Sequence, residues 1–480
     1  MRQAIQRQQS EGSVEPEHSK LTAKLVTPHL PSCVRFAAVA SGAWKRTPSY
    51  FFLRCLMHLP QHIQGRSLAA LIGAGVALLL ATSVGVYYSK TTQGQVDPPR
   101  PIVTAPVQVS THNPIVRVNL TVNPVTEIEV SVDSPYRVIA PGTSMILAHG
   151  ERLAETKVTT TNTALRIGTN EFRINQIEIV PIDAPAVWVQ GHLYRGTVRF
   201  TRTASGKLIA VNEVLLEDYL ASVVNSEMPA SFARSAREAQ AIIARTYVLS
   251  QMTGHPQFDV YSTTRSQKYN GYQYKDDSGK KLAGESPNSR EIVRDTAGIV
   301  CTSGGKIFTT YYTAACGGRT INGSTVFEDA AAPHKSVTCD WCKDASLYRW
   351  QTKIDRAKAE QLLRDHFKGQ GKTFGRLVSI SPAVKTVGDL PYYVISDDKN
   401  RFEIAGTILR RVLPYGVLYS PNFSASITAT EVNFAGQGHG HGVGLCQWGA
   451  AGLGKAGRTA PEILSYYYPG SRLVRLRGTR

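Results

Sequence analysis

Residues 211–252 read VNEVLLEDYLASVVNSEMPASFARSAREAQAIIARTYVLSQM, and the fold turns on how this run divides. Leu216, Tyr219, Leu220, Val223 and Val224 recur at helical spacing, which predicts a first helix with one apolar face. Pro229 ends it, because proline at that place favours a turn. Ala236, Ala239, Ile243, Tyr247 and Val248 form the stripe of a second helix. Glu227 stands at the end of the first, one turn beyond Val223. The negative end of the helix dipole and partial desolvation both disfavour its charged form, which predicts a raised pKa. A carboxyl of that kind suits general acid catalysis near neutral pH. The plainer alternative is a solvated glutamate near a helix C-terminus.

Upstream the period changes from helical to two. VRVNLTV, EIEVSV, YRVIA, ALRI, FRINQIEIVPI and LYRGTVRFTR alternate apolar with polar residues, and Pro, Gly, Asn and Asp fill the turns between them. Residues 114–210 therefore read as a β-rich scaffold, ending in the strand KLIAVNEV that feeds the first helix. Downstream, IVCTSGGKIFTTYYTAACGG reads as a hairpin about SGGK. AAGLGKAGRTAPEILSYYY reads as one terminal helix with Pro461 near its start. The fold class expected is α+β: a β-rich scaffold, a small helical catalytic lobe and a glycine-rich C-terminal loop.

The N-terminal quarter is different. Residues 1–66 show little periodicity, many basic residues and two isolated cysteines, Cys33 and Cys55, and read as disordered. Residues 67–88, SLAALIGAGVALLLATSVGVYY, carry no charge and are long enough to span a bilayer. Lys45, Arg46, Arg54 and Arg66 precede this segment. The basic flank predicts that the bulk of the chain lies outside the cytoplasm, membrane-anchored or secreted. A cleaved signal peptide is the rival, and a start at Met57 would give an ordinary export signal. Residues 89–113, with DPPRP, form a linker to an extracytoplasmic domain at 114–480, its catalytic part at 211–480. The formal charge of +18 suits an acidic polymer, a membrane surface or a cell wall. No zinc-finger array, basic helix or RNP signature accompanies it, so nucleic acid is not expected as a partner.

The run LLEDYLASVVNSEMPASF with AREAQAIIARTYVL, and the later GHGHGVGLCQWGAAGLGKAG with ILSYYYPG, resemble the SpoIID/LytB family over roughly Val116–Leu476. The resemblance implies a peptidoglycan lytic transglycosylase that cuts glycan strands and leaves 1,6-anhydro-muramic ends, with Glu227 as its single catalytic acid/base. Other relatives are described as non-catalytic enhancers of a wall amidase, which is the competing reading. SQKYNGY resembles the family's Q-x-Y-x-G element, so Gln267 and Tyr269 would hydrogen-bond and stack on a sugar, or else serve a turn. In the C-terminal block His441 matches the family's histidine. Gln447 and Trp448 offer an amide and a stacking face, and the glycines would let backbone approach a ligand. Arg245 on the second helix is the expected inward-facing cation for substrate.

Five cysteines follow the apolar span. Cys339 and Cys342 form CDWC, the spacing at which two thiolates reach one zinc. With Cys316 and His334 they make a candidate structural Cys₃His site. The family often has a histidine three residues before the cysteine of ACGG, where this chain has Thr313. The fourth ligand is therefore open between His334 and Cys446, and a disulfide remains the alternative for exported thiols.

Overall fold

The computed structural model describes residues 113–183, 186–252 and 255–476. The basic N-terminal region, the apolar span at 67–88 and all but the last residue of the linker lie outside these residues. Among those described, no helix is long and apolar enough to cross a membrane.

The alternating upstream segment folds into two mostly antiparallel sheets, of seven and eight strands among the described residues. Strands Glu127–Val132 and Gln176–Pro181 bury every second residue, as half-buried strands do. Ile128, Val130, Val158 and Leu165 from one sheet meet Val116, Ile177, Ile179, Val198 and Phe200 from the other in a single apolar core. Three strands escaped the period-two reading, Ile146–Gly150, Leu153–Thr160 and Ala186–Val189. The last is buried at all four positions, so it carries no alternation to find.

Strand Leu208–Leu215 runs directly into α1 (Leu216–Glu227). No side chain of α1 caps its own start. The Leu216 and Glu217 amides are taken up by the Pro114 carbonyl and by Asn113 Oδ1. Pro229 follows the helix at the expected place, and α2 occupies Arg234–Gln251. The five predicted apolar positions of α1 and the five of α2 are all buried. Helix α2 is enclosed on both sides. Ala241, Ala244 and Val248 join the sheet core. Ala236, Ala239, Ile242 and Ile243 join a second core with the C-terminal helices. Helix α3 (Pro287–Asp295) starts with a Ser286/Ser289 capping box and packs on α1 and α2.

Residues 349–437 form a lobe with its own core, which the sequence reading passed over. It contains α4 (Arg356–Lys368), α5 (Gly406–Val412) and two three-stranded sheets, packed around Leu363, Phe367, Tyr393, Leu409 and Phe434. The chain then returns to the core shared with α2. The expected single terminal helix is two, α6 (Gln447–Lys455) and α7 (Ala460–Tyr467). Gly457 has φ +82°, which an α-helix cannot continue through, and Thr459 with Glu462 builds a fresh capping box ahead of Pro461. Strand Arg472–Arg475 finally pairs antiparallel with Ile299–Ser303.

Candidate active site

A cleft of about 570 Å³ opens where α1 ends, within the size usual for ligand sites. Its walls come from stretches far apart in the chain. Glu227 and Tyr247 come from α1 and α2, and Arg265 and Ser266 from the loop after α2. Tyr311 and Tyr312 lead into a short strand, Arg410 and Tyr415 come from the 349–437 lobe, and His439 and His441 from the glycine loop. Gln447 starts α6. Among the described residues, Glu227 is the one carboxylate in the lining.

Glu227 is held from three directions. Its Oε1 accepts from the backbone N–H of Lys268 at 2.7 Å and from the Tyr312 hydroxyl at 3.1 Å. Its Oε2 accepts from Gln447 Nε2 at 3.3 Å. Burial pushes its pKa above the ordinary carboxyl value. The hydrogen bonds from Lys268, Gln447 and Tyr312, then the Lys268 charge, pull back without cancelling the rise. The net group is a protonatable carboxyl in a fixed orientation. Glu217 and Asp218 lie two to three turns back on α1. Glu217 is occupied by Arg245, and Asp218 faces Arg290.

That pairing corrects the reading of Arg245. Its side chain is fully buried behind the cleft, 2.9 and 2.7 Å from the two oxygens of Glu217, and it also donates to the Ile299 and Val293 carbonyls. A cation inside a helix packed on both faces needs these partners merely to be tolerated. Gln267 and Tyr269 are also buried. Gln267 accepts from Tyr219, which places it behind the cleft wall rather than on it. Tyr269 bonds Asn212 and packs against Tyr194 and Tyr219. Trp448 is absent from the lining. It meets Phe232 edge-on, ring centroids 4.9 Å apart, and so joins α6 to the turn between α1 and α2. Gln267 and Tyr269 are therefore closed to a sugar in the cleft, and half-buried Trp448 does not line it.

His441 does line the cleft, as a neutral ring. Burial first, then the charge of Arg410, bring its pKa down to about 4. Its Nδ1 accepts from the Val443 amide, and its edge is set against Phe327 and Tyr311. The glycines around it serve a purpose other than ligand approach. Gly440 has φ +110°, and a Cβ there would strike Thr313 Oγ1; at Gly444 it would strike the Tyr311 carbonyl. The loop packs against its own chain. Thr313, at the position of the family's histidine, donates to the His439 carbonyl and accepts from the Gly442 amide, stapling loop to strand.

Four sulfurs converge beside this staple. Cys316, Cys339, Cys342 and Cys446 are buried, with their sulfurs all within 4.8 Å of one another. Cys316 and Cys342 sulfurs stand 3.7 Å apart. A tetrahedral zinc with bonds of about 2.3 Å sets its ligands ~3.8 Å apart, whereas a disulfide requires about 2.05 Å. Backbone amides of Cys316 and Gly449 point at Cys446 Sγ, and the Tyr467 hydroxyl lies 3.1 Å from Cys339 Sγ. Such donors suit thiolates. The set therefore fits one tetrahedral thiophilic ion, with Cys446 rather than His334 as fourth ligand. His334 is spent elsewhere. Its Nε2 accepts from the Tyr311 amide and its Nδ1 faces the Ala331 carbonyl, with Phe308 and Tyr468 against the ring. Cys446 caps α6, and the strand Leu445–Cys446 pairs in parallel with Tyr312–Thr313. The cluster thus fixes the strand that carries Tyr312 and the start of α6, from which Gln447 reaches Glu227.

Sequence reasoning missed Lys268, Tyr312, Arg410 and Tyr415. Tyr312 sits in the quoted hairpin, one residue before the notable Thr313, but nothing in a β-rich run marks which tyrosine faces a cleft. The amide of Lys268 has no side-chain signal at all. Arg410 and Tyr415 belong to the unread lobe.

The comparisons with known proteins agree with the motifs. The family model described as SpoIID, stage II sporulation protein, matches residues 204–302. An uncharacterized protein of Brachyspira hyodysenteriae is 28% identical over 65% of this chain and 80% of its own length. Stage II sporulation protein D of Bacillus subtilis is 28% identical over 55% of this chain and 76% of its own. The amidase enhancer of Bacillus subtilis is 25% identical over 72% of this chain and 52% of its own. The matched region contains α1, α2 and Glu227, and relatives of both branches extend beyond it. These matches support the SpoIID/LytB family for this chain, together with a cell-wall related role.

Proposed function

We propose that the domain is a peptidoglycan lytic transglycosylase. The observation that carries this is Glu227: a raised, three-fold held carboxyl that is the sole acid lining its cleft among the described residues. Ordinary glycosidases divide acid and base or nucleophile between two carboxyl groups. A lytic transglycosylase needs one. Protonated Glu227 gives its proton to the glycosidic oxygen as the bond to the muramic C1 breaks. The resulting carboxylate takes the proton of that sugar's own 6-hydroxyl as O6 bonds to C1. The 1,6-anhydro ring closes, no water is consumed, and Glu227 returns to its protonated form. The donors from Lys268, Tyr312 and Gln447 keep the intervening carboxylate in place and stabilised. Exposed Tyr415 and the Tyr311–Phe327 stack offer ring faces to sugar.

In this reading a zinc ion at Cys316, Cys339, Cys342 and Cys446 supplies folding free energy and no chemistry. The domain acts outside the cytoplasm, tethered or secreted, on glycan strands of the wall.

A second reading, an enhancer of a wall amidase, is favoured by the relative of that name. Digesting purified glycan with the 104–480 fragment and analysing the products by mass spectrometry separates the readings. Anhydro-muramic ends are expected. Reducing ends would make the protein a hydrolase. Intact glycan together with stimulation of an added amidase would make it an enhancer.

A further inference from the structure

Arg410 stands in the cleft without an acid. It projects from α5, and its Nε donates to the Leu418 carbonyl at 3.2 Å. Among the described residues, no other hydrogen bond and no ion pair engages its guanidinium. The charged and titratable groups around it are Arg411, the Tyr415 phenol, His439 and His441. Both histidines are held neutral, by burial first and then by Arg410 itself. Arg265, the other arginine of the cleft, is exposed and lies over the Tyr261 ring at 4.2 Å. Arg410 is the more enclosed of the two, and burial pulls its pKa below the ordinary value. A guanidinium partly removed from water with both terminal nitrogens unengaged is costly to the free protein. An anion from outside offsets that cost, and a planar carboxylate matches the fork with two parallel hydrogen bonds.

We infer that Arg410 is a substrate-binding residue that receives a carboxylate of the glycan strand, so that the 349–437 lobe reads the acidic group while Glu227 faces the bond to be cut. The inference rests on the glycan reading of the cleft. Two parts of such a strand carry that chemistry: the lactyl carboxylate of a muramic residue without its peptide, and the carboxylates of an attached stem peptide. Arg410 leaves the proton transfers to Glu227 and sets affinity and register.

The test measures binding in the Glu227→Gln background, so that its outcome does not depend on turnover. Probes are an uncharged N-acetylglucosamine oligomer, peptide-free glycan oligomers and peptide-bearing glycan oligomers. Adding Arg410→Gln should weaken an acidic probe by about ten- to a hundredfold, the worth of a charged hydrogen-bonded pair. The neutral oligomer should bind as before. Arg410→Lys should restore part of the loss, since it returns the charge but not the fork. Loss with the peptide-free probe identifies the lactyl group; loss confined to the peptide-bearing probe identifies the stem. Equal weakening of all three probes, or no weakening of any, overturns the assignment. Cleavage by the protein with Glu227 intact is scored separately, so a failure of the transglycosylase reading leaves a distinct signature.

Discussion

Gln447 places its side-chain nitrogen 3.3 Å from Oε2 of Glu227, although 220 residues separate them in the chain. The same amide reaches Gln240 Oε1 at 3.4 Å, so α2, α6 and the end of α1 meet at one carboxyl. Hydrogen bonds to the charged form of an acid lower its pKa. Gln447→Ala and Tyr312→Phe should therefore each raise the pKa of Glu227 further. In a pH–rate profile of glycan cleavage, the fall in rate on the alkaline side should move to higher pH. A limb that stays put would mean these contacts do not act on the titrating form.

Glu227→Gln should reduce cleavage on the order of 10²–10⁴-fold, the usual contribution of general acid–base catalysis. Its effect on stability has the opposite sense. In acid, below the ordinary carboxyl value, folded and unfolded chains are both protonated and the glutamate costs nothing. As pH rises through the raised folded value, the fold must ionise a buried group, and stability is lost. Glu227→Gln removes that loss. Thermal melts should show the variant at least as stable as the parent at neutral pH and equal to it in acid. A variant that is both active and unstable would remove Glu227 from the mechanism.

The four-sulfur site predicts about one zinc per chain in protein purified under reducing conditions, with a sulfur-only shell by X-ray absorption. Cys446→Ser should lose the metal, and His334→Ala should keep it. Chelation should lower the melting temperature more than it changes the rate at saturating substrate, because structural zinc contributes folding free energy. Mapped disulfides among these cysteines, or retention of metal by Cys446→Ser, would refute the assignment.

Arg245→Ala should destabilise the domain by roughly 3–5 kcal/mol, the cost of breaking one side of a buried ion pair. Denaturant titration measures this directly. Glycan KM in the surviving folded fraction should stay near that of the parent, because the guanidinium does not reach the cleft. A raised KM at unchanged stability would return Arg245 to the substrate.

The helical pair and Glu227 were readable because apolar spacing, a proline stop and a carboxylate are all local signals. The β-rich half was readable wherever one strand face meets solvent, and unreadable at Ala186–Val189, where neither does. Spacing could draw Cys339 and Cys342 together, since three positions separate them. It could not choose between His334 and Cys446, because that choice depends on a parallel strand pair formed across more than a hundred residues. Arg245, Tyr269 and Trp448 were misplaced for one reason. A polar or aromatic residue inside a motif looks the same in sequence whether it serves a ligand or supports its neighbours. Burial and hydrogen-bond partners distinguish the two.

The parallel pairing of Tyr312–Thr313 with Leu445–Cys446 has a consequence for the order in which the protein comes into being. Chains are made from the N-terminus, and α1 with Glu227 emerges long before α6. Closing so long a loop is entropically costly and slow compared with local helix formation. Until residue 447 has been made, the carboxyl lacks Gln447, the sulfur cluster lacks its fourth member, and the glycine loop has no wall to form. Strand Arg472–Arg475, which seals Ile299–Ser303, arrives later still. A chain that stops between Glu227 and Gln447 contains the acid without its completed cleft, so in the glycan-cutting reading activity waits on residue 447.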